Sequence, residues 1–531
     1  MSRKNGKPVV VEERQWTPRV DTALLTQLAN LASVAGARDG LAVEAPFTGE
    51  TIGAVPLSTA EDIADAAARA HAAQKEWAHW SVARRAKVLL RFHDLVIERA
   101  DQILDIIQLE SGKARKHAFE EVLDTAIVAR YYAHTAARLL RPRRRQGALP
   151  LLTKAWEYRH AKGLAGFIAP WNYPLTLGIT DALPALVAGN GVIIKPDAQT
   201  PYSALWAVGL LEEAGLPIGL AHVVTGRGAT LGQPLVDAVD FLMFTGSTAT
   251  GKTVAQQAAA RLIDFSAELG GKNAMLVLDD ASLARAVPGA LRAVYSNGGQ
   301  LCIHIERMYV QSGIYDEFVP RFAEAVRGLR LGSSFAFDDD IGSIISGEQL
   351  ARVAEHVDDA VAKGAEVLAG GKARPDLGPY FYEPTVLAGV TPEMTLFAEE
   401  TFGPVVSIYR CETLDEAVER ANDTSYGLNA SVWTRDTAKG RAIAARLQAG
   451  TVNINEGYSA TWASASPMGG FKESGVGRRH GEQGLTKYTE AQTVAVQRLL
   501  GIDAPRGVSQ AQYAAAMKLA IKALRYIPWI D

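Results

Sequence analysis

The chain has two cysteines, and the residues around Cys302 favour a nucleophile. Cys302 lies in SNGGQLCIHIER, where a polar, glycine-containing segment leads into an apolar one. This pattern predicts a loop-to-helix junction, at which helix N–H groups would stabilise a thiolate. A small buried apolar residue is the alternative, since isolated cysteines often pack that way. Cys411, in SIYRCETLDEA, follows a β-like run and is predicted to be structural.

A cysteine nucleophile needs a base or a lowered pKa, and Glu268 is the candidate base. It lies in SAELGGKN, where two glycines allow close backbone approach and leave the carboxylate at a strand end. A solvated turn carboxylate is the alternative. Asn172, in APWNYPL, is held between aromatic residues and prolines. Its amide is a candidate donor to an oxyanion, although a turn-forming role fits the same pattern.

Two strand ends offer contacts for a dinucleotide. In DFLMFTGSTATGK, an apolar strand leads through Gly246 and Ser247 into a helix beginning near Gly251, an arrangement suited to pyrophosphate. Its GxxxxG spacing differs from the usual GxGxxG and is not diagnostic alone. In GVIIKPDAQTP, Lys195 ends a buried-type strand, where it would reach ribose hydroxyls. A surface lysine with a buried stem is the alternative.

The elements that must position these residues follow two patterns. From Thr59 to Ala137, apolar residues recur at helical spacing, which predicts a helical block. Short β-like runs then alternate with helical segments, first from GLAGFIAP to DFLMFTGS and again from NAMLVLDD to GTVNIN. This alternation predicts an α/β fold with two parallel sheets in tandem, divided near Gly270 and Gly271.

The composition excludes several classes of protein. With 531 residues, of which 48% are hydrophobic and 21% charged, the chain resembles an ordinary globular protein of two or three domains. A net charge of −3 gives no bulk attraction for phosphate or anionic lipid, so neither nucleic acid nor a membrane is expected as a partner. Two cysteines exclude a four-cysteine metal site, and no metal is expected. The lack of signal-peptide and membrane-spanning patterns predicts a cytoplasmic protein.

A series of ordered motifs resembles the aldehyde dehydrogenase superfamily. These motifs cover about residues 40–495 and read PWNYPL, KPDAQTP, FTGSTATG, ELGGKN, GQLC, EETFGPV, YGLNASVW and PMGGFKESGVGRRHG. Within the superfamily, the segment IERMYV and the GRRHG ending are most similar to the actinobacterial succinic-semialdehyde dehydrogenases of the second type.

The resemblance implies a Rossmann-like cofactor domain, a catalytic α/β domain and an antiparallel oligomerisation arm. On this sequence, the cofactor domain would comprise residues 1–138 and 161–269, and the catalytic domain residues 270–482. The arm would comprise residues 139–160 and 483–505, followed by a C-terminal helical extension over residues 506–531. Because the family assembles through this arm, the resemblance implies a homodimer or homotetramer.

The family mechanism can be carried over to individual residues. Cys302 would attack the aldehyde, Asn172 and the Cys302 N–H would stabilise the oxyanion, and Glu268 would activate the water that hydrolyses the thioester. Lys195 and Glu400 would hold the riboses of NAD or NADP. The remaining cofactor contacts implied by the resemblance are Phe402 at the nicotinamide, and Trp171, Gly246 and Ser247 along the adenine and pyrophosphate path.

Some positions depart from the family pattern. Ala198 stands where NAD-preferring members often carry a glutamate, so we expect NADP to be tolerated. Thr180 and Ser296 replace two arginines that hold the substrate carboxylate in better-known succinic-semialdehyde enzymes. His304 stands where this enzyme type often has a small residue or a second cysteine, so a disulfide switch with Cys302 is excluded.

The expected substrate pocket is largely apolar. Tyr458 and Trp462, in GYSATWASAS, are predicted to lie at its mouth and to favour an aromatic or medium-length aldehyde, whereas the resemblance favours succinic semialdehyde. The predicted pocket residues are Tyr173, Leu177, Leu301, Ile303, Tyr458 and Trp462.

Two other functions remain open on the sequence. The first is a CoA-acylating dehydrogenase, against which the presence of Glu268 argues, and the second is a non-catalytic binding or structural relative. The tail SQAQYAAAMKLAIKALRYIPWID is predicted to form an amphipathic helix that either docks on a subunit or covers the substrate entrance.

Overall fold

The computed structural model describes residues 20–147, 153–458, 463–497, 501 and 503–526. The N-terminal region is the predicted helical block, preceded by one helix and a hairpin, and α2 starts at a capping box between Thr59 and Asp62. Its elements are α1 (Thr22–Ala29), β1 (Gly40–Ala45), β2 (Glu50–Pro56), α2 (Ala60–His79), α3 (Val82–Glu98), α4 (Ala100–Ser111) and α5 (Arg115–Leu139).

Two antiparallel strands then lead into the first α/β unit. They are β3 (Arg143–Gln146) and β4 (Thr153–Ala161). The unit itself consists of β5 (Leu164–Ile168), α6 (Pro174–Ile179), α7 (Ala182–Ala188), β6 (Gly191–Lys195), α8 (Tyr202–Glu213), β7 (Ala221–Val223), α9 (Gly228–Ala238), β8 (Phe241–Thr245), α10 (Thr248–Ala260) and β9 (Asp264–Glu268).

The second α/β unit begins at Asn273, with four residues between it and Glu268. Its elements are β10 (Asn273–Val277), α11 (Leu283–Tyr295), β11 (Ile305–Gln311), α12 (Ser312–Arg327), α13 (Gly347–Ala362), β12 (Glu366–Ala369), β13 (Thr385–Ala388), α14 (Thr395–Ala398), β14 (Val405–Cys411), α15 (Leu414–Asn422), β15 (Asn429–Trp433), α16 (Thr437–Ala444) and β16 (Thr451–Ile454). Short 3₁₀ turns lie at Ser296–Gly299 and Lys472–Ser474.

The last described elements return to earlier parts of the fold. They are β17 (Gly475–Val476), α17 (Gly481–Thr486), β18 (Thr489–Gln497) and α18 (Gln510–Leu524). β17 pairs antiparallel with β9 and completes a six-stranded sheet of order β17-β9-β8-β5-β6-β7, which is otherwise parallel. β18 pairs antiparallel with β4, so the arm predicted from the resemblance is a three-stranded sheet of order β18-β4-β3.

The second unit forms a seven-stranded sheet of order β12-β13-β14-β11-β10-β15-β16, parallel except for β12. The predicted α/β class is therefore confirmed. The central strands β5, β6, β8, β10, β11 and β15 are almost fully buried, as expected for parallel strands covered by helices on both faces. No described helix is both long and apolar enough to span a bilayer.

Candidate active site

The predicted site residues come from the facing edges of the two large sheets. At the carboxyl edge of the first sheet, residues follow β5 and β8 or end β9, whereas at the amino edge of the second sheet they precede β11 and β14. The first group is Trp171, Asn172, Gly246, Ser247 and Glu268, and the second is Cys302, Glu400 and Phe402. Ligands of α/β sheets bind outside such carboxyl ends, which makes this cleft the candidate active site.

Cys302 does not precede a helix, and the predicted loop-to-helix junction is wrong. A 3₁₀ turn at Ser296–Gly299 comes before the cysteine, and strand β11 begins three residues after it. Asn297, Gly298 and Gly299 all have positive φ, and a Cβ on Gly299 would lie 2.0 Å from the Gly403 carbonyl oxygen. The glycine-rich segment therefore lets the chain reverse closely against the segment around Gly403 rather than starting a helix.

The environment of Cys302 opposes a free thiolate. Burial raises the pKa of the Cys302 thiol to about 12, with further increases from the nearby Glu268 and Glu400 carboxylates, and Arg479 acts in the opposite direction. Without a helix N-terminus at the sulfur, the thiol is protonated at neutral pH. A nucleophilic Cys302 must therefore lose its proton to a neighbouring base.

Glu268 ends β9 and is almost completely buried. Both carboxylate oxygens lack a hydrogen-bond partner among the described residues. Burial raises the pKa of Glu268 to about 8, although Arg479 and Lys487 act against it. Gly271 allows this strand end to approach the nucleophile, because a Cβ there would lie 2.6 Å from the Cys302 carbonyl oxygen. A buried carboxyl group with this pKa suits a base that takes up and releases a proton near neutral pH.

The backbone and the amide of Asn172 are both held in place. Its carbonyl oxygen accepts hydrogen bonds from Lys113 Nζ at 2.7 Å and Asn297 Nδ2 at 2.9 Å. Its own Nδ2 donates to the Gln300 carbonyl oxygen at 3.0 Å. Since an amide nitrogen has two hydrogens, one remains for an oxygen in the cleft that Asn172 lines with Cys302.

A cleft of about 1040 Å³, including its opening to solvent, runs from Cys302 past α10. Ser247 caps the N-terminus of α10 with its hydroxyl, so the helix presents its positive end to the cleft. Glu400 accepts a hydrogen bond from the Gly271 N–H at 2.8 Å, and the rings of Trp171 and Phe402 meet edge to face at 5.4 Å. An anion site beside a carboxylate and aromatic walls fits a dinucleotide.

Lys195 and Ala198 lie at the neighbouring strand end and do not line this cleft. Lys195 is buried, donates from Nζ to the Pro196 carbonyl oxygen at 2.9 Å, and has a pKa lowered by burial. A Cβ on Gly228 would lie 4.0 Å from its Cε, which places the lysine beside the start of α9. Ala198 is half-buried in the following turn. Both residues therefore follow or end the neighbouring strand β6, outside the lining of this cleft.

A second cavity, of about 540 Å³, reaches Cys302 from the other side. It is lined by five of the six predicted pocket residues, namely Tyr173, Leu177, Leu301, Ile303 and Tyr458. Trp462 lies outside the described residues. The thiol thus lies where two cavities meet, one suited to a dinucleotide and the other with largely apolar walls.

Three charged residues of this second cavity were not predicted from the sequence. Glu120 and Asp124 lie one turn apart on α5, and Arg479 follows β17. Burial raises the pKa of Glu120 to about 7 and that of Asp124 to about 6. Glu120 accepts hydrogen bonds from the hydroxyls of Tyr458 at 2.8 Å and Tyr173 at 3.2 Å. A spacing of four residues on a helix was the signal available for the two acids.

Arg479 also lies beside one of the departures from the family pattern. Its Nη2 donates to the Thr180 hydroxyl at 2.9 Å, and its Nε pairs with Asp181 at 3.1 Å. The second departure, Ser296, is hydrogen-bonded to the Tyr458 hydroxyl at 2.7 Å. The Arg479 guanidinium, from a distant segment of the chain, therefore reaches Thr180. This is the position at which better-known succinic-semialdehyde enzymes carry an arginine.

The described residues contain no group of three or more acidic, histidine or cysteine side chains arranged to hold a metal ion. Cys411 is fully buried at the end of β14, as predicted for a structural cysteine. Both cysteines have free thiols.

Comparison with known proteins agrees with this geometry. Residues 34–494 match the model of the aldehyde dehydrogenase family. A Mycolicibacterium smegmatis protein named "Putative succinate-semialdehyde dehydrogenase", with NADP(+) in its name, is 53% identical over 96% of this chain and 99% of its own.

Solved structures show the same similarity. The NAD+ complex of an aldehyde dehydrogenase from Bacillus cereus has a TM-score of 0.85 at 32% identity, over 91% of this chain and 100% of that one. A succinate-semialdehyde dehydrogenase from Burkholderia pseudomallei has a TM-score of 0.83 at 35% identity, over 86% of this chain and 95% of that one. The chain therefore belongs to the aldehyde dehydrogenase family.

Proposed function

We propose that the protein oxidises an aldehyde to a carboxylic acid with NAD or NADP, through a thioester on Cys302. The observation that carries this proposal is the position of the thiol where two cavities meet, with the buried carboxyl group of Glu268 lining the same cleft. One cavity suits the cofactor and the other the aldehyde. The experiment is to measure formation of reduced cofactor from a panel of aldehydes with each cofactor, in the presence and absence of CoA.

The cleft residues fit a nicotinamide dinucleotide, which would supply the hydride acceptor. Gly246, Ser247 and the start of α10 would hold the pyrophosphate, and Lys195 and Glu400 the two riboses. Trp171 and Phe402 would provide the aromatic walls. Ala198 places no negative charge beside the adenosine ribose, which supports use of NADP as well as NAD.

The first chemical step is addition of Cys302 to the aldehyde. Glu268 accepts the thiol proton, the sulfur bonds to the carbonyl carbon, and the C=O electron pair moves to oxygen. The remaining Asn172 N–H and the Cys302 backbone N–H stabilise this oxyanion. Loss of hydride from the same carbon leaves the thioester. Because burial raises the pKa of the Cys302 thiol above its ordinary value, this step depends on a nearby base.

Hydrolysis of the thioester uses Glu268 again, after the thiol proton has passed from Glu268 to solvent. The carboxylate takes a proton from water, the hydroxyl oxygen adds to the acyl carbon, and the C–S bond breaks as the carboxylic acid forms. The proton then returns to sulfur or leaves with solvent. Because neither oxygen of Glu268 has a hydrogen-bond partner within the described part of the chain, both are available to a water molecule. This arrangement supports hydrolysis over transfer of the acyl group to CoA, for which no base is needed.

We further propose a short aldehyde with a terminal carboxylate, such as succinic semialdehyde, as the substrate. Arg479 is the only lysine or arginine among the described residues that line the aldehyde cavity, and it lies beside Thr180. The names of the compared mycobacterial and Burkholderia proteins support the same substrate. An aromatic or medium-length aldehyde is the second candidate, because Tyr173, Leu301, Ile303 and Met468 make most of the cavity wall apolar.

A selectivity ratio separates these candidates. We expect Arg479→Lys to lower kcat/KM for succinic semialdehyde relative to butanal by about tenfold, because lysine cannot reproduce the planar guanidinium contacts. Arg478→Lys, at the neighbouring and more exposed position, is the matched control. The ratio of the two kcat/KM values still reports on carboxylate binding when the substitution lowers the rates with both aldehydes. An unchanged ratio would remove Arg479 from carboxylate binding, and a wild-type preference for benzaldehyde would favour the second candidate.

The domain division and the oligomer are also proposals. β18 forms one edge of the three-stranded sheet, and its residues after Thr489 are exposed, including Val494 and Val496. An open strand edge with exposed apolar residues suits pairing with a second copy, and we propose a homodimer or homotetramer built on this arm. Light scattering coupled to gel filtration measures the oligomer. A monomeric mass would contradict the proposal.

A further inference from the structure

His304 and Glu306 lie beneath the nucleophile and take no part in the mechanism above. Their side chains are fully buried. On one side is the nucleophile loop, residues 300–303, and on the other is the cofactor loop, residues 400–403. We propose that His304 is a positioning residue that orients the Leu301–Cys302 peptide for oxyanion binding. This inference rests on the proposed thioester mechanism.

Glu306 is the centre of the arrangement. Its carboxylate forms a buried ion pair with Lys272, which follows the double glycine. It also accepts the backbone N–H groups of Thr401 and Phe402, each at 3.0 Å. Burial raises the pKa of Glu306, but Lys272 and His304 more than offset this, so the net pKa is lowered and the group is ionised.

The cofactor loop needs this anchor. Phe402 has a φ of 56°, a left-handed conformation that is costly for a residue with a side chain. The two N–H groups that point at Glu306 belong to this strained turn, which directly follows Glu400. The carboxylate therefore compensates for the strain and fixes the place of the candidate ribose and nicotinamide contacts.

His304 contacts the nucleophile loop. Its Nδ1 hydrogen-bonds the Leu301 carbonyl oxygen, whereas its Nε2 lies 3.3 Å from Glu306 Oε1 without a hydrogen bond among the described residues. Because a carbonyl oxygen only accepts, Nδ1 carries the hydrogen in this contact. The backbone N–H of His304 donates to the same oxygen at 3.0 Å. Two donors thus fix one carbonyl group immediately before the nucleophile.

Fixing this carbonyl fixes the candidate oxyanion donor. The Leu301 C=O and the Cys302 N–H belong to one planar peptide group, in which they point in opposite directions. With the carbonyl oxygen held towards His304, the N–H is directed away from it. Hydrogen bonds to the carbonyl also polarise the peptide and strengthen its N–H as a donor. His304 thereby acts on the oxyanion without touching substrate.

Matched substitutions test this role. His304→Gln keeps an N–H donor, whereas His304→Met fills the space without one. We expect the burst of reduced cofactor, measured by stopped flow at saturating cofactor, to slow at least about tenfold in His304→Met. It should stay within about threefold of wild type in His304→Gln. His356→Ala removes another buried histidine that contacts the cofactor loop, at Thr401, but not the nucleophile loop, and should leave the burst rate unchanged.

Alkylation of Cys302 by iodoacetamide provides the second readout, because this reaction needs the thiolate but forms no oxyanion. A positioning role predicts an alkylation rate within about twofold of wild type in His304→Met. A parallel fall in alkylation would overturn the inference and assign His304 to the thiol pKa instead. An unchanged burst in His304→Met would overturn it as well.

Should His304→Met not fold, His304→Leu gives an independent measurement, since it also removes the Nδ1–H donor. Its burst should slow by at least about tenfold as well. An unchanged burst in His304→Leu would contradict the inference. Failure of the proposed function is distinguishable, because wild type would then show no burst with any aldehyde.

Discussion

At the scale of single residues, burial sets the chemistry of the site. The two reacting groups are both shifted towards their neutral forms, with a pKa of about 12 for Cys302 and about 8 for Glu268. Because a protonated carboxyl group cannot accept the thiol proton, Glu268 must first lose its own proton before the thiol proton can move to it. The nucleophile is therefore created during the reaction rather than stored as a thiolate.

Replacing the nucleophile tests the covalent mechanism. We expect Cys302→Ala to lose turnover by about three orders of magnitude or more, because no other described cavity residue can form the thioester. Cys411→Ala is the matched control, since Cys411 is buried at the end of β14, in the second sheet. Steady-state rates and thermal melts of both variants provide the measurement. More than about a tenth of wild-type activity in Cys302→Ala would exclude the covalent route.

Glu268 predicts a distinct kinetic pattern. With Glu268→Gln, we expect a slowed burst of reduced cofactor followed by still slower turnover, because both steps use the base and hydrolysis needs it more than acylation does. In wild type, the base is active only when ionised, so the hydrolysis rate should rise as pH increases through about 8 and then level off. Rapid-mixing traces over a pH series measure both effects. A burst as fast as that of wild type in the variant would remove Glu268 from activation of the thiol.

Cofactor choice depends on Ala198. A carboxylate at this turn would bind ribose hydroxyls and repel a 2′-phosphate, so Ala198→Glu should shift the ratio of kcat/KM from NADP towards NAD by about tenfold. Ala198→Gln has nearly the same size without the charge and serves as control. Measuring both cofactors with one aldehyde gives the ratio directly. If wild type shows no activity with saturating NADP, Ala198 does not permit the use of NADP.

At the scale of elements, the sequence predicts the structure that depends on a local pattern. It does not predict contacts that form when a later segment pairs with an earlier sheet. The alternation of strand and helix is enough to predict the α/β class. The two-residue strand β17 is too short to produce a periodic signal, yet it carries the following Arg479 into the aldehyde cavity.

The local structure at Cys302 shows a second limit. A polar, glycine-rich segment before an apolar run fits a helix start, but the same letters form a 3₁₀ turn entering a buried strand. The choice is made by tertiary contact, because Gly299 lies against the backbone of Gly403. The sequence also did not predict that Glu120 and Asp124 line the aldehyde cavity, because acidic residues on a helix usually face water.

At the scale of the whole molecule, the C-terminal helix is the element least accounted for by the catalytic fold. A capping box between Ser509 and Gln512 starts α18, which confirms the predicted helix. Among its described residues only Tyr513 is buried, through a contact with Gly501, whereas Leu519 and Ile521 of the helix are mostly exposed. The apolar side of this helix is therefore not covered by the described part of its own chain.

Deletion of residues 507–531 tests what covers this helix. Since Leu519 and Ile521 have no covering partner in the described chain, we expect the deletion to loosen the oligomer or to raise KM for apolar aldehydes. The burst rate at saturating substrate should not change, because none of the described tail residues lines either cavity. Gel filtration with light scattering and kinetics with butanal and hexanal measure the two effects. A matched control is Leu519→Glu with Ile521→Glu in the full chain, which should reproduce the deletion if the apolar face is responsible. Unchanged mass and unchanged KM in both variants would show that the helix serves neither purpose.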